Sequence, residues 1–294
     1  MKNSYLLGVF LALFGGILWG ISGVCGEYLF THKGVSASWL VPNRLFFSGV
    51  IMLVFYAFRL KGGVFTPLKN AKDLTQIIIF ALFGLMAVQF AYFRSIELSN
   101  AAVATVIQYT APIFILAYVC YRQKRLATRR ELLALVLATS GVFLLATHAE
   151  FDALYISPLA LFWCFVSAVC VIFYNLAALS QRQKFGVGVV LAWGLLIAGV
   201  VLGAVFRVWN LPAVSDFEGL LATAAVVFLG TIFAFGLYLK GVELIGAERA
   251  SFIAAIEPVS AAVFGVVWLK SSFGVYDFVG FVLIMSCVVV LSRR

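Results

Sequence analysis

Charged side chains are scarce in this sequence. Asp, Glu, Lys and Arg make up 11% of the 294 residues, whereas 64% are hydrophobic. A soluble domain carries about 25% charged and about 45–50% apolar residues. The chain therefore has too few polar side chains to cover a water-facing surface of this size, which excludes an ordinary soluble globular protein and makes lipid the expected solvent.

The usual motifs for metals, nucleotides and disulfides are also missing. There are only two histidines and five cysteines, and the cysteines form no C-x-x-C pair. Neither H-E-x-x-H nor G-x-x-x-x-G-K-[ST] occurs. We therefore expect no metal site, no cofactor and no transport driven by the chain's own ATP hydrolysis.

Long apolar runs are what the sequence does contain. Each has the roughly 20 residues that a helix needs to cross a bilayer, and none alternates apolar with polar as barrel strands do. The runs cover residues 5–29, 38–58, 74–95, 101–121, 131–147, 156–179, 187–208, 219–239, 249–269 and 276–291. The predicted fold is an all-α integral membrane protein with ten transmembrane helices.

The basic residues predict the orientation. The net charge of +9 would suggest nucleic-acid binding in a soluble protein, but here the basic residues separate apolar runs, so no nucleic-acid partner is expected. With the N-terminus inside, only five of the 21 Lys and Arg residues fall outside: Lys33, Arg44, Arg94, Arg207 and Lys270. The positive-inside rule then places both termini in the cytoplasm, with the lipid bilayer of the inner membrane around the helices.

An internal repeat divides the chain into two halves. A shift of 146 residues places Tyr92–Leu145 on Tyr238–Leu291 without a gap, and it pairs Glu97 with Glu243 and Pro112 with Pro258. The predicted halves are residues 1–147 and 148–294. Five helices per half is an odd number, so the second half is predicted to be inverted, a plan that recurs in secondary transporters.

The prolines and one acidic residue are the first candidates for function. Pro112 and Pro258 occupy equivalent places in the middle of predicted spans, where each removes a backbone donor and frees a carbonyl group, as at the gating breaks of transporters. Glu257 precedes Pro258, and a carboxylate at that depth is a functional candidate by default. It would bind a cationic group or exchange a proton, with a structural role as the alternative.

Other polar and aromatic residues within the runs suit a small-molecule cavity, which needs aromatic walls and a few polar anchors. Ordinary hydrogen bonds between helices are the alternative explanation for many of them. The predicted substrate-binding residues, together with Glu257, are Trp19, Ser22, Gln89, Tyr92, Gln108, Tyr109 and Trp163.

Two short motifs have other interpretations. Residues 20–23 read G-x-S-G, as around an intramembrane serine nucleophile, but the histidines His32 and His148 lie in loops, so no catalytic residue is expected and the chain is not predicted to be an enzyme. G-x-x-x-G occurs at residues 16–20 and 199–203 and indicates close helix contacts, within a monomer or in a homodimer.

Three segments carry a family resemblance: LWGISG around Trp19, AAVATVIQYTAPIF in the fourth run and AERASFIAAIEPVSAAVFG in the ninth. In these the chain resembles the drug/metabolite transporter superfamily and its EamA-type ten-helix members. The resemblance implies secondary transport, often export, of amino acids or related metabolites through a central cavity. It also implies that Glu257 and Pro258 match the family's Glu-Pro. Many members place an acidic residue where this chain has Lys124 and Lys270.

The sequence thus predicts a secondary transporter that moves small metabolites by alternating access, with export as the expected direction and proton coupling through Glu257. A proton-linked multidrug exporter and a non-transporting membrane scaffold or sensor are the alternatives.

Overall fold

The computed structural model describes residues 2–111, 114, 120–121, 124–147, 155–176, 179–245, 250 and 253–292. Helices make up nearly all of these residues, and no strand occurs among them. The helices are α1 (Lys2–His32), α2 (Ala37–Arg59), α3 (Ala71–Leu98), α4 (Ala101–Gln108), α5 (Arg129–Thr147), α6 (Pro158–Leu176), α7 (Leu179–Phe185), α8 (Val187–Phe206), α9 (Phe217–Ile245), α10 (Glu257–Leu269) and α11 (Val275–Ser292).

Five of these helices are long and apolar enough to cross a membrane: α1, α2, α3, α8 and α9. Shorter apolar helices lie at Pro158–Val171, Glu257–Leu269 and Val275–Cys287. The prediction of an all-helical membrane protein is therefore confirmed for the part of the chain that the structure describes.

The distribution of side chains is that of a protein surrounded by lipid. Large apolar residues such as Phe83, Val205 and Val267 are exposed, while Ser48 and Ser95 are fully buried. Lipid tails are as apolar as the exposed side chains, so burial of apolar surface brings little gain, and small or hydrogen-bonding residues pack between the helices instead.

The third helix of each half has the same irregularity at the same place. A π-helical stretch interrupts α3 at Phe80–Met86, and another interrupts α9 at Phe228–Phe233. The shift of 146 residues found in the sequence places the start of α3 on the start of α9 and makes these stretches overlap. Single π-helical turns inside α-helices are rare and occur often at functional sites.

Glycines bring α2 and α8 into close and reciprocal contact. A Cβ atom at Gly49 would lie 2.5 Å from the amide nitrogen of Leu196, and one at Gly199 would lie 2.4 Å from that of Phe46. Both residues of the second helix follow their counterparts by 150 positions, so each helix offers its glycine to the same place on the other. The two helices are thus related by an approximate twofold axis between them.

Helices α5 and α11 repeat this arrangement. A Cβ atom at Gly141 would lie 2.6 Å from Ile284, and one at Gly280 would lie 2.8 Å from Leu145. The contact of α1 with the second part of α9 likewise has a counterpart in the contact of α6 with the second part of α3. Equivalent helices of the two halves therefore pack in exchanged pairs.

The first G-x-x-x-G segment also packs within the chain. A Cβ atom at Gly16 would lie 2.7 Å from the carbonyl oxygen of Ala254, and one at Gly20 would lie 2.7 Å from that of Glu257. The missing side chains allow α1 to approach the backbone where α10 begins, so both G-x-x-x-G segments contact other helices of the same chain.

The glycines of the second segment give a matched pair for testing this packing. Gly199→Ala places a methyl group against the backbone of α2, and overpacking of this kind costs about 1–3 kcal/mol. Gly203→Ala meets only Val208, at 3.6 Å, which is an ordinary contact. We expect a lower thermal unfolding temperature in detergent for Gly199→Ala and an unchanged one for Gly203→Ala. Equal temperatures for the two variants would contradict the close contact.

Candidate functional site

The helices are interrupted at equivalent places in the two halves. In the second half, Ala255 and Ile256 form a turn and α10 begins at Glu257. In the first half, α4 ends at Gln108 and the turn comprises Tyr109 and Thr110, 146 positions earlier. Discontinuous helices of this kind form the binding sites of many secondary transporters.

The structure corrects the expected position of Pro258. It lies in the first turn of α10 rather than in the middle of a helix. Proline is favoured there because the first turn leaves its backbone N–H groups without helical acceptors in any case. Pro112, its counterpart, lies outside the described residues.

The Tyr109 hydroxyl occupies the gap that the proline leaves. Because Pro258 has no N–H, the carbonyl oxygen of Ala254, four residues earlier, lacks its α-helical donor. The Tyr109 Oη atom lies 3.2 Å from this oxygen and 3.3 Å from Oε2 of Glu257. One hydroxyl hydrogen therefore faces two acceptors, and a residue of the first half closes the helix break of the second.

Two further side chains interact with the Glu257 carboxylate, those of Tyr92 and Arg44. The Tyr92 hydroxyl also forms a 2.6 Å hydrogen bond with Oγ1 of Thr105, which lies on α4. Glu257 is thus surrounded by groups from α2, α3 and α4 of the first half, although it belongs to the second.

Arg44 is the site residue that the sequence analysis missed. It was placed with the outside loop charges, but it lies within α2 and only 3% of its surface is exposed. Its Nε donates to Thr231 Oγ1 at 2.8 Å, and its Nη1 and Nη2 donate to Gln89 Oε1 and the Gly230 carbonyl, each at 3.2 Å. Its position inside the predicted run 38–58 was the available signal, since a charge within a span indicates function.

Ser22 lies close to Arg44. Its hydroxyl is buried and has no hydrogen-bond partner among the described residues. Nδ1 of His32 is hydrogen-bonded to Thr31 at 2.7 Å and the ring stacks on Tyr28, so it provides no base for Ser22. The described residues therefore contain no serine–histidine pair of the intramembrane protease type; His148 lies outside them.

The remaining candidates lie between helices rather than around Glu257. Gln108 donates a hydrogen bond to Ser167 of α6. Trp163 contacts Phe90, with ring centroids 5.5 Å apart, and Trp19 contacts Phe235 and Tyr238, both at 5.1 Å. The structure thus gathers Ser22, Gln89, Tyr92, Tyr109 and Glu257 around Arg44 and leaves Trp19, Gln108 and Trp163 at interhelical contacts.

Ion pairs connect the two halves beyond this cluster. Lys33 pairs with Asp216 at 2.5 Å and with Glu218 at 2.9 Å, and Lys184 pairs with Asp73 at 2.6 Å. The hydrogen bonds to Asp216 and Glu218 raise the pKa of Lys33, and the bond from Lys33 lowers the pKa of Asp216. Each pair joins the segment after the first long helix of one half to the start of the third helix of the other.

The two lysines that replace the family's acidic residues also adopt matching conformations. Lys124 has φ 50° and Lys270 has φ 58°, both in the left-handed region. Lys270 ends α10, and its Nζ donates to the carbonyl oxygen of Val267 at 3.3 Å. A cation at this place is favoured by the negative end of the helix dipole.

Comparisons with known proteins agree on one family. The EamA-like transporter family matches the chain twice, at residues 6–147 and 158–293. A protein of Salmonella typhimurium named "Uncharacterized inner membrane transporter YicL" is 34% identical over 285 residues, which cover 97% of this chain and 95% of that protein. A solved crystal structure superposes with a TM-score of 0.61 at 17% identity, covering 100% of this chain and 99% of that one, and supports the fold alone.

Removal of the Tyr109 hydroxyl tests the closure of the helix break. Tyr109→Phe leaves the Ala254 carbonyl without this donor, and an unsatisfied buried polar group costs about 1–3 kcal/mol. We expect a lower free energy of unfolding in detergent, measured by denaturant titration. The exposed Tyr121→Phe serves as the control. A Tyr109→Phe protein as stable as this control would show that the hydroxyl does not close the break.

Proposed function

The chain belongs to the EamA-like transporter family, and from this premise we propose that it is a secondary transporter that moves small metabolites by alternating access. It is a multi-pass transporter of the inner membrane, as its relative's name also states. Our proposal adds the substrate class, amino acids or related compounds, the direction, export, and a coupling role for Glu257.

The observation that carries the proposal is the position of Glu257 at the helix break. Its carboxyl group contacts a tyrosine of the opposite half and lies at the positive end of α10, which favours its charged form. An ionisable group within a span is costly and is retained where ions or protons pass. A change in its charge therefore acts on the contact between the halves.

Tyr109 supplies the link between protonation and structure. When Glu257 is ionised, the Tyr109 hydroxyl donates to the carboxylate, because a hydrogen bond to a charged acceptor is stronger than one to a neutral carbonyl. When Glu257 is protonated, its own O–H donates to the Tyr109 oxygen, and the tyrosine hydrogen is released to the Ala254 carbonyl. Proton uptake thereby exchanges the acceptor of a bond that spans the two halves.

Alternating access rests on the proposed inverted halves, residues 1–147 and 148–294, with ten spans and both termini in the cytoplasm. The matching helix breaks, the exchanged helix pairs and the double family match support this arrangement. In the predicted topology the Lys33 pairs lie outside and the Lys184 pair inside. Opening on one side then breaks one set of ion pairs while the other set stays closed.

The proposed substrate contacts are the residues around Glu257 together with those at the adjoining helix contacts: Trp19, Ser22, Gln89, Tyr92, Gln108, Tyr109 and Trp163, with Pro112 and Pro258 at the gating breaks. Aromatic rings supply apolar surface and the amides and hydroxyls supply orientation.

Flux in proteoliposomes tests the coupling role of Glu257. We expect efflux or uptake of labelled amino acids by the wild type to be stimulated by a pH gradient, and Glu257→Gln to reduce this stimulated flux at least 100-fold because it cannot exchange a proton. Glu243→Gln is the matched control, since Glu243 is exposed and pairs only with Lys240 three residues before it.

Three results would change the proposal. Equal gradient-driven flux in Glu257→Gln would make Glu257 structural. Flux of many unrelated cationic compounds would favour the multidrug exporter. Absence of flux for every compound would contradict transport by this chain alone and favour a scaffold or sensor.

A further inference from the structure

Arg44 carries a buried charge whose direct hydrogen bonds all go to neutral groups. A guanidinium group has five N–H donors, and the three bonds to Thr231, Gln89 and Gly230 use one from each nitrogen. One N–H on each terminal nitrogen has no partner among the described residues. The face of the group lies over the Phe93 ring, with its central carbon 4.7 Å from the ring centroid.

The other half of the molecule shows that the packing does not need this charge. The shift of 150 residues that relates Gly49 to Gly199 places Arg44 on Gly194. A Cβ atom at Gly194 would meet the Phe80 ring at 2.9 Å and Leu85 at 3.5 Å. The same contact of the second or seventh run with a π-helical stretch is thus apolar in one half and charged in the other.

This internal comparison points to function. Burial of a charge is costly, and apolar residues of similar volume generally replace buried charges without loss of stability. Because the apolar version of the contact already exists in the same chain, the guanidinium is not required to join these helices. Its retention inside a span indicates a ligand.

Ser22 provides a second donor at the same place. A Cβ atom on Gly230 would lie 1.9 Å from Ser22 Oγ and 3.7 Å from Arg44 Nη2, so both side chains border this glycine. The Ser22 hydroxyl is 2% exposed and lacks a partner among the described residues. A buried hydroxyl of this kind calls for an acceptor that is absent from the structure.

We propose that Arg44 and Ser22 form the subsite for a carboxylate group of the transported substrate. The inference rests on the proposed transport function and adds Arg44 as its anion-binding residue. The guanidinium fork matches a carboxylate, which accepts from both terminal nitrogens at once. Glu257 lies close enough to interact with Arg44, so a zwitterion can place its carboxylate at Arg44 and its ammonium at Glu257.

The two halves contribute differently to this subsite. Arg44, Ser22 and Gln89 belong to the first half, whereas Gly230 and Thr231, which now accept from the guanidinium, belong to the second. When the halves separate, these acceptors withdraw and a carboxylate replaces them. Substrate binding and opening therefore use the same donors.

Transport of matched compounds tests the subsite. Labelled leucine and its decarboxylated analogue, isopentylamine, are offered to proteoliposomes that contain wild type, Arg44→Met, Arg44→Lys or Ser22→Ala. Ser48→Ala is the control, because Ser48 is a buried serine of the same helix as Arg44. Protein-free liposomes correct for passive entry of the amine, and the unfolding temperature of each variant is recorded.

We expect Arg44→Met to lower kcat/KM for leucine at least 100-fold and Arg44→Lys to lower it by a smaller factor. Ser22→Ala is expected to raise the KM for leucine about tenfold, the effect of one lost hydrogen bond to a charged group. Carrier-mediated flux of isopentylamine, the unfolding temperature of Ser22→Ala and all values for Ser48→Ala should stay unchanged. If Arg44→Met does not fold, the Lys and Ala variants carry the test.

Two results would overturn the proposal: unchanged leucine kinetics in Arg44→Lys and Ser22→Ala, or an equal loss for both compounds together with a lower unfolding temperature, which indicates a structural role. Failure of the transport function is detected separately, as no flux in the wild type. In that case, stabilisation by sodium acetate or sodium phosphate against sodium chloride at equal ionic strength, present in the wild type and lost in Arg44→Met, still supports an anion site, and its absence contradicts one.

Discussion

Lipid offers no hydrogen-bond partner to a protein backbone, so any break in a spanning helix must be satisfied by another part of the protein. The structure meets this requirement at Pro258 with the hydroxyl of Tyr109, which comes from the opposite half. The other features of the centre depend on this interaction. It positions α10 so that its first residue, Glu257, lies among groups of the first half, and the glycines of α1 allow that helix to approach the same break.

The two halves are alike in architecture and unlike in chemistry. Helix breaks, π-helical stretches and glycine contacts recur at constant shifts along the chain, whereas the charged groups do not. Arg44 corresponds to Gly194, and Glu257 corresponds to Ala111. Duplication therefore accounts for the shared framework, and the residues that differ between the halves indicate where the function lies. Both sets of ion pairs between the halves are formed in the structure, so neither end of the contact is released.

Much of this could be predicted from the sequence, because apolar runs and repeated motifs are properties of the sequence alone. The runs predicted the helices, and the shift of 146 residues, found from residues such as Tyr92 and Glu97, also relates the helix breaks. The environment of Arg44 could not be predicted, since its partners are about 45 and 187 positions away and reach it only through packing. For the same reason the sequence pointed to Pro258 but not to the tyrosine that compensates for it.

The contact of Gly49 and Gly199 has a mechanical consequence. Two helices that touch backbone to backbone at one point, related by a twofold axis through that point, form a pivot with arms of similar length on either side. Rotation about a pivot displaces nearby atoms little and distant atoms most, and it moves the two ends of each arm in opposite directions. A small angular change at these glycines is therefore amplified at the Lys33 and Lys184 ion pairs, without repacking of the side chains at the axis.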